Sequence, residues 1–288
     1  MSSIVLCADD FGLSSAIDAG ILGLVGAGRL SATGCMVAGE RFEADAAALR
    51  AVADRIDVGL HLTLTQLPPL APVPSIDPTG APASLGRVLG RALTGRLAYA
   101  EIAAEIGRQV DRFRAVVGRE PDFVDGHQHV HLFPGVRRAL FSLFDEGVLD
   151  ARRTWLRDCR ESPATIVRRG VEVPKALFIA ALASGFAAQA RVRGIAVNRG
   201  FAGITAFRPE AFAGTFPKFL RDLEPGALVM CHPADAAAPA DASDEIDRAR
   251  RAEYAYLSSD AFLAALAAAG VRPARFAVAS VAGEGAGE

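Results

Sequence analysis

Short apolar runs spaced by helix-length amphipathic segments constrain this chain most. Ile4–Ala8 is an apolar run of the kind buried on both faces of a sheet. Ser14 or Ser15 can cap the helix after it, whose apolar side carries Ile17, Ile21, Leu22, Leu24 and Val25, with Gly28 at its end. Thr33–Ala38 reads as a second strand, Phe42–Ala53 as a second helix and Ile56–Leu64 as a third strand. Strand, helix, strand, helix, strand implies parallel pairing through right-handed crossovers, so the predicted class is α/β.

The rhythm breaks at Gln66–Gly86, which carries Pro68, Pro69, Pro72, Pro74, Pro78 and Pro82. A loop this long inside a compact domain is usually functional or disordered. It follows the strand that holds His61, so it is expected to form a lid or wall over a site there. Helical patterns resume over Leu85–Leu93 and Ala98–Val117, before a short strand at Phe123–His127 and a helix over Gly135–Glu146. Thr154–Arg157 and Ile195–Val197 are short strand candidates, and Pro174–Arg193 reads as one apolar helix. Pro209–Leu223 is a helix with its proline in the first turn, and Ala227–Cys231 is a buried strand. Helices over Glu245–Leu257 and Asp260–Ala269 precede a last strand at Phe276–Val278. No repeat or linker divides the chain, so residues 1–281 read as one domain and the Gly, Ala and Glu tail 282–288 as disordered.

Composition removes several classes of function. A hydrophobic share of 51% supports a sizeable core, and a net charge of -2 offers no general attraction to nucleic acid or anionic membrane. Cys7, Cys35, Cys159 and Cys231 are scattered and form no metal-binding pair motif, as expected of small buried residues in a reducing compartment. Asp9 and Asp10 arrive too early for a signal peptide, and the apolar run Ala176–Ala190 is too short to span a bilayer. A soluble cytoplasmic protein is expected.

The chemistry gathers at strand ends. Asp9-Asp10, His61, His127 and His232 each stand at or near the carboxyl end of a predicted strand. In parallel α/β folds those ends share one face, and sites are built there. Two adjacent buried carboxylates need a counter-charge, which a divalent cation would supply. One Asp and two His make a facial set with open positions, suited to zinc, iron, manganese or a similar ion. The other Asp could then act as general base and a histidine across the site as general acid. His127, His129 and His131 alternate within Pro121–Pro134; Asp125 can orient a ring, and Gly126 lets another group approach the backbone.

Four blocks carry a resemblance: Ala8-Asp-Asp-Phe-Gly-Leu-Ser14, Gly59-Leu-His-Leu-Thr63, Val124-Asp-Gly-His-Gln-His-Val-His-Leu-Phe-Pro134 and Val229-Met-Cys-His-Pro233. In order and spacing the chain resembles the YdjC-like carbohydrate deacetylases, also called the ChbG/HpnK deacetylase family. The resemblance implies a distorted (β/α) barrel of mainly parallel strands, related to other polysaccharide deacetylases. It implies metal-dependent hydrolysis of the acetamide of an N-acetyl sugar, on an oligosaccharide or a lipid-linked glycan. Carried over residue by residue, Asp10, His61 and His127 match the ligands of one divalent ion, magnesium or zinc. Asp9 matches the base, His232 the acid and Arg157 an arginine that orients the base. Asp125, His129 and His131 would line the substrate cleft or stand behind the ligands. The expected partner is a small-molecule or oligosaccharide substrate, with no nucleic acid, and a homodimer is left open. A metal-dependent phosphoesterase and a non-catalytic sugar-binding protein are the alternatives. Against the first stands the missing ligand set of a two-metal centre, and against the second the presence of both Asp9 and Asp10.

Overall fold

The structure is a computed structural model describing residues 1–276. Its strands are β1 (Ser2–Phe11), β2 (Ala32–Cys35), β3 (Asp57–Leu62), β4 (Phe123–Gly126), β5 (Trp155–Leu156), β6 (Phe201–Ala202), β7 (Leu228–Cys231) and β8 (Val271–Pro273). Seven of them run side by side in the order β5-β4-β3-β2-β1-β7-β6, all parallel, while β8 pairs with the start of β1. Every residue of β2, β3, β4 and β7 is buried, because helices cover the outer face of the curled sheet. The two edges are laced together irregularly. Leu156 donates its N–H to the Ala196 carbonyl at 2.9 Å, and Asn198 exchanges hydrogen bonds with the Asp158 backbone just before β6 begins. The result is a single-domain parallel half-barrel with helices around it, the α/β class expected from the strand and helix alternation.

Local sequence accounts for the helix starts. Ser14, Ser84, Ser162 and Ser259 each accept a backbone N–H in the first turn of the following helix. The Ser162 cap, with Pro163 behind it, starts a helix over Pro163–Arg169 that the sequence reading lacked.

Several expected boundaries move. The apolar helix predicted over Pro174–Arg193 is two helices, Val173–Leu182 and Phe186–Val192, because the chain turns at Gly185 with φ 73°. Taken as one stretch, Val173–Val192 would be long and apolar enough to cross a membrane. The turn leaves helices of 10 and 7 residues, each shorter than a span. Ile195–Val197 makes one isolated bridge to Leu156 rather than a strand, and β6 lies just beyond it. The second helix begins at Ala46, not Phe42, and the helix expected from Pro209 opens with a 3-10 turn before Phe212–Phe219. Phe276 is not in a strand; the last strand among the described residues is β8, and residues 277–278 and the tail 282–288 lie outside them.

Candidate active site

Adjacent residues of a regular strand point to opposite faces, so Asp9 and Asp10 cannot share a site without a departure from the pleat. The departure is present. The pairing of β1 with β2 shifts register between Ala8 and Phe11, and Asp10 adopts φ 74°. Such a bulge re-aims a side chain, and a left-handed conformation at a non-glycine residue costs of order 1–3 kcal/mol, typically at a functional position. Both carboxylates are thereby buried at the carboxyl end of β1, at 2% and 1% exposure.

Each has its own arginine. Arg157, fully buried just past β5, donates Nη1 to Asp9 Oδ2 at 2.7 Å and Nη2 to Asp9 Oδ1 at 2.6 Å. Arg157 Nη2 also lies 2.5 Å from Asp125 Oδ2 and 3.1 Å from Cys7 Sγ. Arg250, from the helix Asp247–Leu257, donates Nη2 to Asp10 Oδ2 at 2.7 Å. Burial alone would raise the Asp9 carboxyl, but the Arg157 guanidinium outweighs it and holds the group below the usual carboxylate range. Arg250 and His127 do the same against burial for Asp10.

Asp10 Oδ1 faces two imidazoles, with His127 Nδ1 at 2.9 Å and His61 Nε2 at 3.4 Å. The outer nitrogen of each ring is engaged. His61 Nδ1 meets Asp125 Oδ1 at 2.6 Å, and His127 Nε2 meets Gln66 Oε1. An acceptor at the outer nitrogen holds the proton there and turns the inner lone pair toward Asp10. Two lone pairs and a carboxylate oxygen would then converge with nothing positive between them. Metal–ligand bonds of about 2.1 Å at tetrahedral to octahedral angles separate neighbouring ligand atoms by roughly 3.0–3.4 Å. The observed spacings suit such an ion, so Asp10, His61 and His127 fit a divalent cation. Without one, burial lowers the His61 imidazole, but Asp125 and Asp9 push it up to about 10.

A second trio, Cys7, Asp9 and Asp125, also brings possible ligand atoms within 4.8 Å of one another. It already holds its cation, because Arg157 contacts all three.

The other singled-out residues take separate places. His232 follows β7 with its Nε2 4.0 Å from Asp9 Oδ2, and its ring keeps 12% exposure. Burial pushes that imidazole down to about 4, so it is neutral at rest. Phe207 packs edge-on against it at 5.2 Å, and Lys175 Nζ lies 5.2 Å from the Phe207 ring centre. The alternating histidines do not continue the strand. Gln128 and His129 take positive φ inside a 3-10 segment, and the three rings diverge. His129 contacts Cys159 Sγ at 3.6 Å and the Phe201 ring at 5.8 Å. His131 bonds the Arg157 carbonyl at 3.0 Å, and burial pushes it down to about 4, so it props the arginine's backbone as a neutral ring. A side chain at Gly126 would come within 2.9 Å of the His131 N, the close backbone approach anticipated there.

Gln66, Arg250 and Glu253 were not picked out from the sequence. Gln66 opens a proline-rich loop with no periodic signal. Arg250 and Glu253 sit in Asp247-Arg-Ala-Arg-Arg-Ala-Glu253, whose charges read as a solvated face.

A family model described as YdjC-like protein matches residues 3–268. Among curated relatives, a chitooligosaccharide deacetylase from Enterobacter sp. (strain 638) is 39% identical over 134 residues, 46% of this chain and 52% of that protein. One from Proteus mirabilis (strain HI4320) is 38% identical over 131 residues, 45% of this chain and 50% of that protein. The chain spans about half the length of the curated relatives it matches. Among solved structures, a protein from Enterococcus faecalis V583, provisionally named a cellobiose-phosphate cleavage protein, superposes with a TM-score of 0.69 at 21% identity. It covers 96% of this chain and 97% of that one, a likeness of fold.

Proposed function

The chain belongs to the YdjC-like protein family, and from that premise we propose that it is a metal-dependent carbohydrate N-deacetylase, cleaving acetate from an N-acetylated sugar such as a chitooligosaccharide. One observation carries the reading. The adjacent carboxylates Asp9 and Asp10 are bound by two different arginines, with His61 and His127 beside Asp10 and His232 Nε2 4.0 Å from Asp9 Oδ2.

Asp10, His61 and His127 would hold the ion. When bound, it supplies Lewis acidity for the acyl oxygen and a water of lowered pKa. The remaining work belongs to the chain. Asp9, kept ionised and oriented by Arg157, would accept a proton from the attacking water on a lone pair that the guanidinium leaves open. Water adds to the acetamide carbon, the C–N bond breaks, and acetate and the free amine leave. The amine departs only if protonated, and His232 Nε2 would deliver that proton. Burial holds the His232 ring neutral, so its proton would arrive during turnover, with Asp9 passing on the water's proton once the two groups, 4.0 Å apart, close to hydrogen-bond distance.

Acetate release from N-acetylated oligosaccharides and glycolipids, with added divalent ions, tests the reading. Asp9→Asn and His232→Ala should keep the fold and bound metal yet lose roughly 10²–10⁴-fold in kcat. Asp10→Ala and His61→Ala should lose the metal itself, read as metal content. Near-normal kcat in His232→Ala across the pH range would remove it as the acid. Phosphate release without acetate release would replace the reading by a phosphoesterase.

A further inference from the structure

We propose that one turn of the helix Asp247–Leu257 sets the distance between the metal-holding and proton-delivering halves of the site, with Arg250 and Glu253 as positioning residues. The inference rests on the metal reading above, and neither residue belongs to the four sequence blocks that pointed to the site.

Arg250 is 3% exposed and bridges Asp10 Oδ2 at 2.7 Å and Asp244 Oδ2 at 2.6 Å. Arg250 binds Asp10 at Oδ2, while Oδ1 is the oxygen that faces both imidazoles. Arg250 would therefore orient the Asp10 carboxylate so that Oδ1 is presented to a cation, as partners behind a ligand generally do. Glu253, three residues on and 1% exposed, accepts the backbone N–H of His232 through Oε2 at 2.6 Å. The Arg250 carbonyl accepts the N–H of Ala234 at 3.2 Å. His232 Nδ1 has no partner, so among the described residues the ring's place is set by its backbone and by Phe207 rather than by an acceptor of its own. Residues three apart share a helix face, so a single rigid turn grips Asp10 on one side and His232-Pro-Ala234 on the other. Both grips lie behind the reacting atoms, as expected of residues that position others rather than react.

The two residues should fail in different ways. In the full chain, manganese affinity measured by calorimetry without substrate should fall about 10–100-fold in Arg250→Gln, with partial recovery in Arg250→Lys, which keeps the charge. Glu253→Ala should keep manganese affinity within about threefold but lower kcat for acetate release about tenfold or more with little change in KM. Glu253→Gln, which keeps an oxygen acceptor for the His232 N–H, should restore most of that loss. Unchanged manganese affinity in both Arg250 variants, or parallel losses of affinity and kcat in Glu253→Ala, would overturn the proposal. If Arg250→Gln does not fold, Arg250→Lys decides the metal arm: a fall in manganese affinity of up to about 100-fold supports the grip on Asp10, and wild-type affinity or a greater loss overturns it. A wild-type protein that binds no divalent ion would instead sink the metal reading on which the inference stands.

Discussion

At Asp10 the backbone and the side chain cannot be considered apart. A regular β1 would send its carboxylate into the sheet's other face, and only the bulge with φ 74° turns it to the imidazoles. A quieter residue has a similar burden. Asp18 accepts the Gly12 N–H through Oδ1 at 2.6 Å just behind that bulge, while its Oδ2 has no partner. Burial pushes its carboxyl up to about 8, with Asp45 adding to the shift. An unfolded aspartate titrates near 3.9. Between there and about 8 the folded chain keeps a proton that the unfolded chain releases, so stability falls as pH rises through that window, by about a few kcal/mol in all. Asp18→Asn keeps the acceptor and removes the titration. Its melting temperature should decline less than wild type from pH 5 to 8, by calorimetry; parallel declines would show that Asp18 is not the source.

Among the elements, the loop Gln66–Gly86 shows how an aperiodic segment is held. Its prolines have no N–H to give, and several of the remaining donors are met by acids on the helix Tyr99–Val117. Glu105, fully buried, accepts from Leu70 N at 2.9 Å and Ala71 N at 3.4 Å, while Glu101 accepts from Ser75 N at 2.7 Å. The loop therefore arrives at the site rigidly, with Gln66 against His127. Glu105→Ala leaves those N–H groups without a partner and should cost about 1–3 kcal/mol, with faster proteolytic cleavage between residues 66 and 86. Wild-type cleavage rates would mean the prolines alone hold it. Of this loop the sequence revealed its place beside His61, since a strand end precedes it, but not its anchors, which are long-range pairings. β6, at two residues, is too short to show an alternation, and the turn at Gly185 hides inside a run that is apolar throughout. Polar residues at the ends of four buried strands were legible because burial leaves them few other uses. Arg250 and Glu253 were not, because a charged helix looks the same whether its charges meet water or Asp10.

For the molecule as a whole, the pole opposite the site has its own fastening. Arg275 Nε donates to Asp57 Oδ1 at 2.8 Å and the Phe276 N–H to Asp57 Oδ2 at 2.7 Å, while the Phe276 ring lies 4.7 Å from Trp155. Asp57 is 2% exposed at the start of β3. Arg275→Ala should lower stability by about 1–2 kcal/mol, because the arginine is partly in water, and leave divalent-ion affinity untouched. Urea unfolding and manganese titration check this; altered affinity would mean that the two poles are coupled. The place of β1 between β2 and β7 has a consequence for how the chain comes into being. One flank of β1 is met by residue 35, but the other waits for β7 near residue 230, and the arginine partners of Asp9 and Asp10 lie 148 and 240 positions later. During synthesis β1 is thus an open template, with two carboxylates at its end whose arginines have yet to be made. The same charges that later serve the site then guard that edge against pairing with a neighbouring nascent chain.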